Sequence, residues 1–263
     1  MVSTVYDLCH IIIPETYRLS DYIINRLFVI RDIVRADEII TVSEGTAQKV
    51  KKYAGRQSTI VNPAAGNNFF PREQSEILKC KKKYRIDFPY LMAIGVWEPR
   101  KNLNRLIKTF IEMKKEGLLP KYKLLLLGEK GWKYHSQERL IPNEGKGIIN
   151  CLGFVPDNDL PSLYCGSDLF IFPSLYEGFG IPALEARACG VKLVISDIIE
   201  LREAGGDEAH YIQPTEEGIR NGILKALTSH RKVKIPAKMP SWEKGAQIIT
   251  DLFRKLLDTP RGI

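Results

Sequence analysis

Short apolar runs alternate along the chain with longer segments in which apolar residues recur at helical spacing. The runs contain little polar alternation, which is typical of strands buried on both faces of a parallel sheet. Helical patterns lie between them, notably in residues 101–117 and from Pro182 to Cys189. The pattern predicts an α/β fold with a parallel sheet and helices on both faces. The predicted strands are IITV (39–42), STIVN (58–62), YLMAIG (90–95), KLLLLG (123–128), IINCLG (148–153), LFIFPS (169–174) and KLVISD (192–197).

A break in this pattern divides the chain. Residues 61–73, VNPAAGNNFFPRE, concentrate Pro, Ala, Gly and Asn, and no period of 2 or 3.6 continues through them. Residues 74–240 then hold the elements of a full Rossmann-like domain, whereas residues 1–62 hold too few for an independent domain of ~100–150 residues. We therefore expect residues 1–62 to be the C-terminal remnant of a second Rossmann-like domain, followed by a linker at 63–73.

The net charge of the chain indicates which classes of binding partner to expect. The chain has 263 residues, 44% of them hydrophobic, and a formal net charge of +8. A basic surplus favours an anionic partner such as nucleic acid, a membrane face or a phosphorylated substrate. Nucleic acid is disfavoured because aromatic residues do not alternate with the basic ones and no nucleic-acid-binding motif is present. The densest basic run, at residues 79–83, is interpreted as a solvated helix face.

The lack of a membrane-spanning run and of a signal-peptide pattern, together with the cysteine spacing, leads us to expect a cytoplasmic protein. No apolar run approaches the ~18 residues that span a bilayer, and the first residues lack the basic and apolar regions of a signal peptide. The five cysteines are widely spaced and form no CxxC pair, which argues against a disulfide framework and against a zinc site. Reduced thiols are typical of the cytosol.

The segment FIFPSLYEGFGIPALEARACG (170–190) carries the chemistry. A strand ends in a loop, and a helix begins near Ile181–Pro182, where proline suits the first turn. Gly178 and Gly180 let a ligand approach the backbone, and a helix N-terminus attracts phosphate. Glu177 and Glu185 are carboxylates that can accept hydrogen bonds from ribose and sugar hydroxyls. The alternative is a generic strand–loop–helix, since a single glycine-rich loop is a weak signal.

This segment resembles the EX7E motif region of the family 4 retaining glycosyltransferases, which have the two-domain GT-B fold. The likeness covers nearly the whole chain. SWEKGAQIITDLF (241–253) resembles the family's terminal helix, which packs back on the first domain, and we expect residues 241–263 to form that helix. The other similar segments are ADEIITVSEGTAQKV (36–50), IVNPAAGNNFFP (60–71), IGVWEPRKNLNRLIKTF (94–110), LGFVPDNDLPSLYCGSDLFIFPS (152–174) and SDIIELREAGGDEAHYIQP (196–214).

The resemblance implies a role for each residue of the acidic motif. Glu185 would hold the ribose hydroxyls of the nucleotide, and Glu177 would contact hydroxyls of the transferred sugar. Gly178 and the backbone of residues 179–181 would hold the distal phosphate. These donor-binding residues are Glu185, Gly178, Phe179, Gly180 and Ile181.

Two further elements complete the expected site. Lys101, with Arg100 beside it, would neutralise the diphosphate leaving group, because fixed cations and helix N–H groups stabilise developing negative charge without a metal. The alternative is an ordinary basic helix start, although a cation there is unfavourable for the helix dipole. The loop at Phe154 and Val155 would line the base pocket.

We expect no cofactor and no metal, with the sugar nucleotide as substrate. Asp157-Asn158-Asp159 looks like a DxD metal motif, but we interpret it as a helix N-cap, where Asp is preferred. The scarcity of histidine also argues against a metal cluster. The four histidines are His10, His135, His210 and His230.

The resemblance also sets expectations for donor, acceptor and partners. The donor would be a GDP- or UDP-sugar and the acceptor a glycan or a lipid-linked glycan, with peripheral contact at the inner face of the membrane left open. The chain starts late in the family's first domain, and Tyr6 stands where a histidine usually precedes the aspartate. The incomplete first domain would expose apolar faces, and large exposed apolar patches usually mark contact surfaces, so we expect a homodimer or a partner subunit. The alternative function is a split donor-binding subunit that needs a partner chain for transfer.

Overall fold

The computed structural model describes residues 1–16, 19–129, 131, 141, 143–229, 233 and 239–258. The chain forms two compact units, one made of Met1–Ala65 with Pro236–Ile263 and the other of Gly66–Ile235. The predicted domain boundaries at residues 62, 73 and 240 stay predictions. His135, His230 and the end of the predicted terminal helix, residues 259–263, lie outside the described residues.

The first unit has a small parallel sheet of order β1-β2-β3. Helix α3 has a capping residue at each end: Ser43 accepts a hydrogen bond from the Thr46 amide at 2.9 Å where α3 begins, and Gly55 ends it in the left-handed conformation. The strands are β1 (Val2–Val5), β2 (Glu38–Thr41) and β3 (Thr59–Ile60), and the helices are α1 (Cys9–Ile12), α2 (Leu19–Arg35), α3 (Glu44–Ala54), a 3₁₀ turn (Pro14–Thr16) and the C-terminal helix Trp242–Asp258.

The second unit has a six-stranded parallel sheet. Its strands are β4 (Tyr90–Ile94), β5 (Lys123–Leu127), β6 (Ile149–Gly153), β7 (Leu169–Phe172), β8 (Leu193–Ser196) and β9 (His210–Ile212), in the order β6-β5-β4-β7-β8-β9. Its helices are α4 (Gln74–Lys83), α5 (Leu103–Lys115), α6 (Leu160–Cys165), α7 (Ile181–Ala188), α8 (Ile199–Gly205) and α9 (Glu216–Thr228). The predicted fold class, parallel strands with helices on both faces, is confirmed.

The centre of the six-stranded sheet is buried on both faces. Leu91 of β4 is in register with Leu124 of β5 and Leu169 of β7. These leucines pack in one core cluster with Leu106 and Phe110 of α5. Their strand neighbours of opposite parity, such as Met92 and Phe170, are also fully buried. Apolar side chains on both faces explain why these strands read as unbroken apolar runs.

The strand order fixes where a ligand can bind in this unit. The order reverses between β4 and β7, because the chain builds outward first through β5 and β6 and then through β8 and β9. In open α/β sheets of this order, the crevice outside the carboxyl ends of the strands at such a reversal is the ligand site. The loops that follow β4 and β7 therefore meet at this point.

One predicted helix boundary was wrong. The helix predicted at residues 101–117 begins at Leu103, because Asn102 adopts the left-handed conformation with φ of 57°. Lys101 instead ends a separate 3₁₀ turn, Pro99–Lys101. Lys101 is therefore not at the N-terminus of the helix, and the helix-dipole argument for its role does not apply.

Candidate functional site

The loop after β4 is fastened to the loop after β7. The side-chain amide of Asn102 donates to the carbonyl oxygens of Pro173 and Pro214, each at 3.0 Å. The amide of Leu175 donates to the carbonyl oxygen of Arg100 at 2.7 Å. These bonds hold Arg100 and its neighbour against the segment that precedes the acidic motif.

A buried cluster of charges lies where the two loops meet. Lys101 Nζ is 2.7 Å from Glu177 Oε1, and Arg100 Nη1 is 2.9 Å from Glu177 Oε2. Glu177 is 5% exposed and Lys101 is 9% exposed. The Lys101 ammonium also lies 5.0 Å from the centre of the Phe172 ring, a cation–π contact. Three predicted site residues are therefore brought together, although 76 positions separate Lys101 from Glu177.

Glu98 joins this cluster, which sequence reasoning did not foresee. Its Oε1 lies 2.5 Å from Nε of Arg100, and the residue is 4% exposed. Arg100 thus bridges two buried carboxylates, those of Glu98 and Glu177. The only signal in the sequence was an acid two positions before a basic pair, which is common on surfaces.

The two carboxylates of the cluster differ in protonation energetics. Burial alone would raise the pKa of Glu177, but the charges of Lys101 and Arg100 outweigh it, so that its pKa is lowered. Burial raises the pKa of Glu98, and Arg100 and Lys101 compensate only in part while Glu177 adds to the rise. Glu177 is therefore firmly ionised at neutral pH, and Glu98 is the carboxylate closer to taking up a proton.

The loop between β7 and α7 approaches its surroundings closely. Gly180 has φ of 96° and ends the loop, and a Cβ added there would lie 2.3 Å from Cδ2 of Leu201. Gly178 and Phe179 precede it, with Phe179 buried. Pro182 lies in the first turn of α7, as expected. A residue with a side chain at position 180 would meet both a conformational and a steric penalty.

Glu185 lies one turn into α7 and has a different environment. Its Oε2 accepts a hydrogen bond from the Tyr164 hydroxyl at 3.0 Å. Burial raises the pKa of Glu185 to about 7, against the hydrogen bond from Tyr164 and with a further rise from the charge of Asp157. Tyr164 is a residue for which the sequence predicts no role in the site.

The loop after β6 offers one exposed ring. Phe154 is 69% exposed, whereas the neighbouring Val155 is 5% exposed. Of these two predicted residues, Phe154 is the one whose side chain is accessible for stacking on a planar ligand. Ile181, at the start of α7, is 38% exposed.

The predicted helix N-cap at Asp159 is confirmed in position but not in its side-chain contacts. Asp159 occupies the N-cap position of α6 but makes no capping hydrogen bond. Its carboxylate instead accepts from the Tyr84 hydroxyl at 2.6 Å and pairs with Lys83 at 2.5 Å, so it joins α6 to the end of α4. Among the described residues, no group of three or more His, Cys, Asp or Glu side chains is arranged to hold a metal ion.

Comparison with known proteins gives the family. The sequence profile of the family described as Glycosyl transferases group 1 matches residues 76–239, more than half of the chain. The chain belongs to the group 1 glycosyl transferases. The predicted glycosyltransferase class is thereby confirmed, while the finer assignment to family 4 stays a prediction.

Curated relatives of this group 1 glycosyl transferase include bacterial mannosyltransferases. It is 31% identical over 255 residues to O-antigen chain mannosyltransferase B of Escherichia coli, covering 92% of this chain and 67% of the relative. It is 32% identical over 283 residues to the serotype-specific mannosyltransferase WbdA of Escherichia coli, covering 97% of this chain. The chain spans only 34% of the length of WbdA.

Solved structures share the fold at low sequence identity. Sucrose-phosphate synthase from Thermosynechococcus elongatus matches with a TM-score of 0.77 at 19% identity, covering 97% of this chain and 67% of that one. Anabaena HepE in complex with UDP and glucose matches with a TM-score of 0.75 at 19% identity, covering 98% of this chain and 71% of that one. Within the described part of the group 1 glycosyl transferase, no helix has the length and apolar character needed to cross a membrane.

Proposed function

We propose that this chain binds a nucleotide sugar and serves in the retaining transfer of mannose from GDP-mannose to a glycan of a bacterial surface polysaccharide. The observation that carries the proposal is the buried cluster in which Lys101 and Arg100 lie 2.7 and 2.9 Å from Glu177 at the strand-order reversal. The mannosyltransferase names of the curated relatives support the sugar.

The chemistry of sugar transfer explains the cations. When the bond between the sugar and the diphosphate breaks, negative charge grows on the departing diphosphate. Lys101 and Arg100 are fixed cations in a site largely closed to water, where such charge is stabilised most strongly. The N-terminus of α7, which begins at Ile181, adds a partial positive charge, and we propose that it holds the distal phosphate.

Donor binding would rearrange the partners of Glu177. Both of its carboxylate oxygens pair with cations in this structure. We propose that the diphosphate takes over Lys101 and Arg100, and that Glu177 then accepts hydrogen bonds from the hydroxyls of the sugar. A sugar nucleotide supplies both the diphosphate for the cations and the sugar hydroxyls for Glu177. A free nucleoside diphosphate supplies only the diphosphate.

We assign the ribose and the base of the same ligand to two further residues. Glu185, one turn into α7, would accept hydrogen bonds from the ribose hydroxyls, and Phe154, exposed after β6, would stack on the base. The nucleobase is open to a rival assignment, because HepE is described in complex with UDP and glucose. The panel of ligands must therefore contain both nucleotides.

Thermal shift of the purified chain with GDP-mannose, GDP, UDP-glucose and UDP tests the donor. We expect the largest stabilisation with GDP-mannose and an unchanged shift in EDTA. A larger shift with UDP-glucose would replace the donor, and loss of the shift in EDTA would contradict metal-independent binding.

Glu177→Gln tests the role of the acidic motif by calorimetry. Losing a charge-assisted hydrogen bond costs roughly 1.5–3 kcal/mol, or about 10–200-fold in affinity. Because the substitution also releases two cations, GDP should bind more tightly. We therefore expect the ratio of GDP-mannose affinity to GDP affinity to fall by about 10–200-fold. An equal change in affinity for the two ligands would contradict the proposal that Glu177 contacts the sugar.

A further inference from the structure

Tyr164 is a tightly packed polar side chain beside Glu185, the candidate ribose-binding residue. It is fully buried, and its ring packs edge-on against Phe170, with ring centres 5.3 Å apart, and against Phe69, at 6.1 Å. The backbone on its C-terminal side is fixed as well, because the amide and hydroxyl of Ser167 both donate to the Tyr164 carbonyl oxygen. The phenol group therefore has little freedom to move.

The hydroxyl of Tyr164 reaches one oxygen of Glu185. The distance from the hydroxyl to Oε2 is 3.0 Å. Among the described residues, no other side chain is hydrogen-bonded to this carboxylate. Tyr164 thus fixes the orientation of the carboxylate through one oxygen and leaves Oε1 for a ligand. A glutamate that is already held in one rotamer loses less conformational entropy when it binds.

We infer that Tyr164 is a positioning residue for nucleotide binding, one that orients the Glu185 carboxylate so that it can accept the ribose hydroxyls. The inference rests on the proposed function, which assigns the ribose to Glu185. It goes further because it makes ribose recognition depend on a residue that does not itself touch the ligand.

Protonation provides a second readout of the same contact. The groups that face Glu185 are the Tyr164 hydroxyl from α6, Asp157 from the loop after β6 and the Cys189 thiol at the end of α7. Burial and Asp157 raise the pKa of Glu185, and the hydrogen bond from Tyr164 lowers it, with a result of about 7. Only the ionised carboxylate is a full acceptor for two hydroxyls. Ribose-dependent affinity should therefore rise with pH through this value.

The test compares GDP with 2′,3′-dideoxy-GDP, which has the same base and phosphates but no ribose hydroxyls. Dividing one affinity by the other cancels titration of the phosphates. For Tyr164→Phe, calorimetry should show GDP affinity reduced about 5- to 20-fold, roughly 1–1.8 kcal/mol at 1.4 kcal/mol per tenfold. The affinity for the dideoxy ligand should not change, and the pH midpoint of the ratio should move upward.

Three results would overturn the inference, and they have different meanings. Equal weakening of both ligands by Tyr164→Phe would make Tyr164 a structural residue only. An unchanged pH midpoint would show that the hydroxyl does not act on Glu185. Equal binding of GDP and the dideoxy ligand by the unaltered chain would instead refute the ribose assignment of Glu185, and with it that part of the proposed function.

Discussion

Replacing Lys101 with methionine tests the charge cluster most directly. Methionine is unbranched and apolar, so the substitution removes the ammonium while filling much of the same space. Of its two cations, Glu177, which is 5% exposed, would keep Arg100 at 2.9 Å. Breaking a buried pair is costly because the remaining charge stays buried without its full compensation.

The expected magnitude follows from burial and from the partner that remains. Removing one member of a buried ion pair typically costs 3–5 kcal/mol. Because Arg100 still neutralises part of the Glu177 charge, we expect about 3 kcal/mol. For a unit of this size, each kcal/mol shifts Tm by roughly 2–4 °C. The Tm of Lys101→Met should therefore fall by about 6–12 °C at pH 7.

The pH dependence has a defined sign. In the unaltered chain the lowered pKa of Glu177 contributes stability that is present above the unfolded value of about 4.3 and is lost as pH falls through the folded value. Without Lys101, we expect burial to dominate and to raise the pKa of Glu177. Protonation at mildly acidic pH then removes the buried negative charge and part of the destabilisation of the variant. The difference in Tm between the two proteins should shrink from pH 7 to pH 5.

Thermal unfolding followed by circular dichroism, with a matched control, measures both effects. Lys108→Met removes a lysine that is 2.9 Å from Glu216, but this pair is exposed to solvent, and its loss should leave Tm within experimental error. If Lys101→Met behaved like Lys108→Met, or if its deficit were the same at pH 5 as at pH 7, the reasoning about the buried cluster would fail.

Two further substitutions probe neighbouring parts of the site. Gly180→Ala places a Cβ 2.3 Å from Leu201 in a backbone with positive φ, and we expect urea unfolding to show a loss of about 1–3 kcal/mol. Gly117→Ala, also at positive φ but with no atom within 4 Å of the added Cβ, should lose less, and equal losses would exclude the contact with Leu201 as the cause. Glu98→Gln removes a buried negative charge beside Arg100, so GDP affinity by calorimetry should rise about threefold at low salt and less at high salt; weaker binding would show that the charge of Glu98 is needed to hold Arg100.

The sheet of the second unit could be predicted because its strands carry their own signal. β4, β5 and β7 are buried on both faces and read as apolar runs. β9 was not predicted, since it is a three-residue edge strand whose His210 and Tyr211 are only half-buried. A short strand at an edge has neither the length nor the apolar pattern to distinguish it from a loop.

The site could be predicted only where a motif places the residues. Glu177 stands out in the glycine-rich loop, and the roles of Lys101 and Arg100 came from the family resemblance. Nothing in their spacing indicates that Lys101 contacts Glu177 across 76 positions. Tyr164 reads as a core aromatic, and its contact with Glu185 depends on how α6 packs beside α7. The true start of α5 depends on bonds from Asn102 to distant carbonyl oxygens, which no local propensity contains.

Asn102 has a consequence for the exchange of loops between related enzymes. Its amide joins the segments after β4, β7 and β9, and Arg105 donates both to its side-chain oxygen and to the Pro214 carbonyl oxygen. In a chimaera that takes one of these three segments from a relative, the carbonyl oxygens that accept from the Asn102 amide could be displaced, and these hydrogen bonds would be lost. Altered donor preference is therefore better sought by transplanting the three segments as a set, with Asn102 and Arg105 retained.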